Sequence, residues 1–278
     1  MLAWKWWGQF WTETISTWFP KRTGRAPGVG ARVLFFFFSM VVLVFAWDML
    51  VRWQHYPSYI LPPPAAVAHK FVVAVQDGTL WRHTRVTLLE IGGGLALGLS
   101  FATVLGYALA KQPWLEQLIG PYVVAAQAVP VVAIAPLIIL WAGSGIWAKM
   151  LVAALTIFFP TLVNTMVGIR SVEEDYQELF RALNATRWQM FRKLEVPAAL
   201  PVLLGGLKIG TALAVIGAVV GEFVAADQGL GFLINLTSRG TLDTALLFVA
   251  IGVLVVIALV LYMVVTVLES HLLRWRGS

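Results

Sequence analysis

The chain alternates between long uncharged apolar runs and short polar segments, and a helix needs about 20 apolar residues to cross a hydrocarbon core. Val33–Trp47 is a short first candidate, bracketed by Arg32 and Asp48, and Ile91–Ala110 is a second. No charge occurs from Gln117 to Ala148, too long a run for one span; "WAGSG" (Trp141–Gly145) supplies the turn that divides it. A third span therefore ends near Leu140, and a fourth runs from about Trp147 to Ile169. The fifth, Ala199–Ala225, carries Lys208 and Glu222, and the sixth is Thr244–Leu268. The pattern predicts an all-α membrane protein with six transmembrane helices, because continuous runs of this length exclude a closed barrel.

One polar interruption is more elaborate than a connection requires. Ser171–Pro201, "SVEEDYQELFRALNATRWQMFRKLEVPAALP", holds nine charged residues. Ser171 with Glu174 has the spacing of a capping box, and Glu173 and Asp175 place negative charge where a helix dipole favours it. Tyr176, Leu179, Phe180 and Leu183 then follow at i, i+3, i+4 and i+7, which predicts one apolar face. Asn184 suits a left-handed stop. Thr186 with Gln189 forms a second capping box, and its helix is expected to finish before Pro197, which disfavours a helical Val196. The loop therefore reads as helix, tight turn, helix.

Composition agrees with the spans. The chain of 278 residues is 59% hydrophobic and 12% charged, with a mean hydropathy of +0.81, outside the usual soluble range. The pI of about 9.8 is attributed to basic loops beside the membrane rather than to nucleic acid. With the N-terminus inside, thirteen Lys and Arg fall on the cytoplasmic side and six outside, which places both termini in the cytoplasm. There is no cysteine, and the four histidines have no metal-ligand spacing, so no metal site is expected. Residues 1–33 divide from a six-helix transmembrane domain over 34–278: Trp4, Trp7, Trp11 and Trp18 share a helical face that suits an interfacial helix, and a basic Pro/Gly linker follows.

The loop resembles the EAA motif of the membrane subunits of bacterial type I ABC importers. Glu178 takes the Glu position, Asn184 the Gly position and Pro197 the final Pro, with Leu194 and Val196 between them; Leu179 and Phe180 replace the two alanines. "LPPPAAV" (Leu61–Val67), "VPVVAIAPLIILWAGSG" (Val129–Gly145) and "VIGAVVGEFVAADQGLGFLI" (Val215–Ile234) are similar to the nitrate/sulfonate/taurine branch. The resemblance implies the type I ABC importer (MetI-like) permease fold and a non-catalytic translocation subunit in the bacterial inner membrane. It also implies a second permease copy, two ATP-binding subunits and a soluble substrate-binding protein. No cofactor is expected in this chain, with ATP and Mg bound by the partner ATPase. Glu178, Leu179, Phe180, Arg181, Leu183, Asn184 and Pro197, within a coupling loop at 171–197, are the implied ATPase contacts.

Within the spans, Pro130, Pro136 and Pro160 each remove a backbone donor and are candidate pathway positions. The glycines Gly92, Gly93, Gly94, Gly98 and Gly106 have the spacing of close helix packing. Glu222 is either a pathway carboxylate or a loop cap at the outer boundary. Lys208 is expected to reach the cytoplasmic boundary, and Asp48 and Glu90, near span ends, are given no special role. An ion-coupled secondary transporter is the alternative class; it would show related halves and mid-membrane acids. The resemblance runs toward members that carry thiamine-pyrimidine precursors or riboflavin, with nitrate, sulfonate and taurine the other solutes of the branch.

Overall fold

The computed structural model describes residues 29–274. The tryptophan face and most of the linker expected over residues 1–33 lie outside them. Among the described residues every regular element is helical. The chain divides after Gln54 into two compact units. In the first, helix α1 (Val29–Gln54) covers the first expected span and ends on an Asp48–Arg52 ion pair one turn apart, at 2.6 Å.

The second unit begins with α2 (Pro64–Gln76), which Pro63 and Pro64 start because neither needs a backbone donor in the first turn. Gly78, at a φ of 77°, turns the chain into α3 (Thr79–Lys111). Next come α4 (Pro113–Gln127), α5 (Val131–Ala142) and α6 (Ile146–Arg170). The loop contributes α7 (Glu174–Ala182) and α8 (Arg187–Met190), and α9 (Val196–Ala225), α10 (Leu230–Leu236) and α11 (Thr244–Leu272) complete the unit.

Helix α6 is the central pillar. Along one side, a Cβ added at Gly94, Gly98 or Gly106 of α3 would collide with Ala153, Ile157 or Thr165. Along another, Gly217 and Gly221 of α9 lie against Ala153, Thr156 and Lys149, and Gly168 of α6 against Ala199. Apolar side chains gain little from leaving lipid for protein, so close backbone approach through small residues is what holds such helices together. The glycine spacing is borne out at Gly93, Gly94, Gly98 and Gly106, whereas a Cβ at Gly92 would meet nothing within 4 Å. Ile91, Ile157, Ala218, Leu230 and Val249 form the larger buried cluster, and Ala102, Leu109, Val123 and Leu162 a second one toward the loop end.

Among the described residues, four helices are long and apolar enough to cross a membrane, the stretch Arg187–Ala225 counting as one, and a fifth span arises if α4 and α5 are taken together. Three expected boundaries change. The third span is not straight: α4 and α5 meet at 101° around Ala128–Pro130. Pro130 cannot donate to the preceding turn and pushes Val129 out of the helical region. The second span starts at Thr79 rather than Ile91, because Arg82, Arg85 and Glu90 interrupt the uncharged run without interrupting the helix. Finally, α8 does not stop before Pro197. A π turn over Phe191–Glu195 joins it to α9, with the Val196 N–H bonded to the Phe191 carbonyl, so Pro197 falls in the first turn of the next α segment, where no donor is needed.

Candidate functional site

Two places in the second unit concentrate polar chemistry, at opposite ends of α6. The first is the loop. Ser171 does not cap α7: its hydroxyl donates back to the Gly168 carbonyl at 2.8 Å and closes α6, while Glu173 takes the N-cap position without a side-chain bond. At the other end of α7, Asn184 has a φ of 52°. The Ala185 N–H reaches the Phe180 carbonyl and the Asn184 N–H the Arg181 carbonyl, both at 3.0 Å, the paired bonds of a Schellman stop. Thr186 and Gln189 form the expected reciprocal capping box, at 2.8 and 3.2 Å. The short turn between the helices is thereby set by Asn184 and Thr186 alone.

Helix α7 presents its apolar residues to solvent. Tyr176 and Leu179 are 53% exposed and Leu183 is 70% exposed, with Trp188 of α8 beside them in sequence at 65%. Phe180 is half-buried and Glu178 and Arg181 are exposed. Both ends of the loop are fastened to the α3–α4 elbow. Arg170 donates to both carboxylate oxygens of Glu116, at 2.8 and 2.5 Å, and to the Leu109 carbonyl at 3.3 Å. Glu195, in the π turn, accepts from Lys111 and from the Tyr107 hydroxyl at 3.0 Å.

The second place lies about 30–40 Å from Lys111 along α3, at about 1.5 Å per residue. Glu222, 1% exposed, caps the start of α10: Gly231 N–H donates to its Oε2, and the Thr87 hydroxyl donates to its Oε1 at 2.6 Å. Thr87 in turn accepts from Leu230 N–H at 2.8 Å. His83 Nδ1 accepts from Gly229 N–H at 2.9 Å, so this ring carries no proton on Nδ1, and it stacks on Phe232. Gly229 has a φ of 122°, and a Cβ there or at Gly231 would overlap the Glu222 carboxylate. The "DQGLG" glycines are thus the space that the carboxylate fills. Close by, Glu90 is fully buried and Lys149 is 3% exposed, with 3.7 Å between Lys149 Nζ and Glu90 Oε1.

Pro130 starts α5, Pro136 lies within it and Pro160 lies within α6; none of the three adjoins Glu222. Lys208 pairs with Glu269 of α11 and lies over Tyr262. Glu90, expected to lie near a span end with no special role, is instead buried well inside α3, and His83 also lies within that helix. Sequence reasoning missed Glu90, Lys149, Thr87 and His83 as one cluster. The signal was present in part: His83, Thr87 and Glu90 extend upstream the same helical stripe that Gly94, Gly98, Ala102 and Gly106 mark.

The family of binding-protein-dependent transport system inner membrane components matches residues 94–274. The chain belongs to that family. It is 52% identical over 86% of its length to the riboflavin transport system permease protein RibX of Chloroflexus aurantiacus, covering 88% of that protein. It is 36% identical over 87% of its length to the formylaminopyrimidine transport permease protein ThiX of Halalkalibacterium halodurans, covering 94% of it. With the taurine transport system permease protein TauC of Escherichia coli the identity is 30% over 86%, covering 89% of TauC. A solved chain of the MetNI methionine ABC transporter, in an inward-facing conformation, shares the fold with a TM-score of 0.57 at 19% identity, covering 69% of this chain and 94% of that one. The protein is therefore a multi-pass permease subunit of an ABC importer, a class that works with an ATPase and a substrate-binding protein.

Proposed function

We propose that two copies of this chain form the pore of an importer in a bacterial inner membrane, that the loop end faces the cytoplasm, and that α7 docks in a groove of an ATP-binding subunit. The observation that carries this is the ridge of Tyr176, Leu179 and Leu183, left exposed on a helix whose surrounding loop is fastened at both ends. A short amphipathic helix with apolar anchors and a charged rim is a helix-in-groove ligand. Hydrolysis then belongs to the partner, which holds ATP and Mg, while this chain converts its motion into opening and closing. α1 supplies one span, and α4 with α5 supplies one bent span, so that six spans are made.

The solute assigned here is a neutral heterocycle of the riboflavin or formylaminopyrimidine kind, on the strength of the relatives at 52% and 36% identity. Proteoliposomes holding this chain, its ATPase and its binding protein test the proposal. Riboflavin uptake is expected only with ATP inside and loaded binding protein outside. Uptake by the permease alone, driven by an ion gradient, would instead make it a secondary transporter.

A further inference from the structure

We propose that a cavity of about 640 Å³ at the end of the bundle away from the loop is a solute-contact subsite, in which Glu90 and Lys149 together bind an adjacent N–H and C=O of an uncharged solute. This rests on the importer reading above and names the residues and solute chemistry that it leaves open. The cavity lies between α3, the α5–α6 turn and the α9–α10 junction, and Glu90, Lys149, Ser144, Asp227 and Gln228 line it.

Glu90 and Glu222 are close neighbours with opposite circumstances. Glu222 is saturated, accepting from Gly231 N–H and the Thr87 hydroxyl while it caps α10, so its oxygens are committed to the fold. Glu90 is equally buried and its carboxyl group lies against that of Glu222, yet no N–H or hydroxyl of another residue donates to Oε1 or Oε2. Lys149 Nζ, at 3.7 Å, offers attraction without hydrogen-bond geometry. A buried carboxylate without donors is costly unless it has a task, and such groups are rare in folded proteins. The same arrangement puts an acceptor and a donor side by side on one wall of a cavity whose size falls in the range of small-molecule sites, about 300–1,000 Å³.

Charge and geometry together select the solute. Two touching carboxyl groups hold one proton between them, and the single charge of the Glu90–Glu222 pair together with that of Asp227 still outnumbers Lys149, so an anionic sulfonate or nitrate meets a field of its own sign. A neutral ring with an imide or lactam edge presents an N–H beside a C=O, which matches Glu90 as acceptor and Lys149 as donor. Ser144 and Gln228 offer further donors and acceptors at the more exposed rim. The close packing of α3 and α6 through Gly93 and Gly94 holds the two charged residues at a fixed spacing, as a site built on helices requires.

The test uses proteoliposomes of the whole complex with saturating riboflavin-loaded binding protein, and reads riboflavin moved per ATP hydrolysed. Glu90→Gln and Lys149→Met should each lower that ratio at least tenfold, and Gln228→Leu at the rim should lower it several-fold. Wild-type protein should carry 3-methylriboflavin, whose imide N–H is replaced, with a similarly reduced ratio once the binding protein is saturated with it. An unchanged ratio in the Glu90 and Lys149 variants overturns the subsite. So does a lowered melting temperature with uptake and hydrolysis falling in parallel while Gln228→Leu is silent, since that marks a structural pair. A wild-type complex that carries taurine and not riboflavin overturns the solute class and leaves the importer reading intact. A complex that moves neither under ATP defeats the heterocycle assignment itself, and the subsite falls with it.

Discussion

Arg170 and Glu195 stand at opposite ends of the loop and are tied to the same elbow of the chain, Arg170 through Glu116 and Glu195 through Lys111 and Tyr107. The 24 residues between them therefore have both attachments within one short stretch around Gln112, where α3 hands over to α4. On the docking proposed above, a push on α7 would reach that elbow, from which α4 leads into the 101° bend with α5.

The Lys111–Glu195 pair is unequal, and its variants should be unequal too. The Glu195 side chain is 5% exposed and that of Lys111 35%. Lys111→Met leaves a buried carboxylate with only the Tyr107 hydroxyl, which should cost about 2–3 kcal/mol. Glu195→Gln leaves an ammonium that water reaches, and should cost about 1 kcal/mol or less. Thermal melts of the purified permease check the order; a larger loss for Glu195→Gln would show that the buried carboxylate is not what Lys111 serves.

At Asn184 the backbone decides. With a φ of 52°, Asn184→Gly removes the Cβ penalty and should leave the melt unchanged or raised, whereas Asn184→Val should cost about 1–2 kcal/mol. Val should also misalign the two loop helices and weaken retention of the ATPase on copurification. Equal behaviour of Val and Asn would mean that the Schellman stop does not hold the turn.

The loop was legible because its signals are local: a left-handed residue, a capping box and a 3–4 spacing act within a few residues of one another. Even there Ser171 misled, since the same hydroxyl that can start α7 is used to close α6. The bend at Pro130 and the continuation through Pro197 each depend on how a proline is accommodated, by a break in one case and a π turn in the other, and both outcomes satisfy the missing donor. The Glu222 cluster joins residues 135 to 146 positions apart. Its glycines are visible in the sequence, but the carboxylate that requires them is read there only as a pathway group or a loop cap at the boundary, because no local pattern says which distant groups a buried acid will meet.

The exposed ridge of α7 separates anchoring from folding. Leu179 and Tyr176 touch little of their own chain, so Leu179→Ala and Tyr176→Ala should leave the permease melt unchanged and weaken ATPase association by about 2 kcal/mol each if they are the central anchors. Phe180 is half-buried, and Phe180→Ala should lower both the melt and the association. Titration of purified ATPase onto permease in nanodiscs measures the first quantity. Lowered melts for Leu179→Ala with association intact would mean that the ridge packs within the permease.

Gly229 and Gly78 differ in what a side chain would meet, and Gly229 isolates the Glu222 contact. Both have positive φ, 122° and 77°, and both precede a helix. A Cβ at Gly78 meets nothing within 4 Å, whereas one at Gly229 overlaps the Glu222 carboxylate. Gly78→Ala in the left-handed region costs about 1–2 kcal/mol; Gly229→Ala, at a φ of 122° and ψ of 163° that essentially only glycine adopts, costs about 1–3 kcal/mol and must in addition push Glu222 away from Gly231 N–H and Thr87. Losing those charge-assisted bonds should add about 2 kcal/mol or more. In Glu222→Ala protein the obstructing carboxylate is gone, so there Gly229→Ala should cost about 2 kcal/mol less than it does in the wild type. This double-mutant cycle, read by thermal melts, attributes the excess to the carboxylate. An excess that persists without Glu222 would assign the strain at Gly229 to the backbone turn itself.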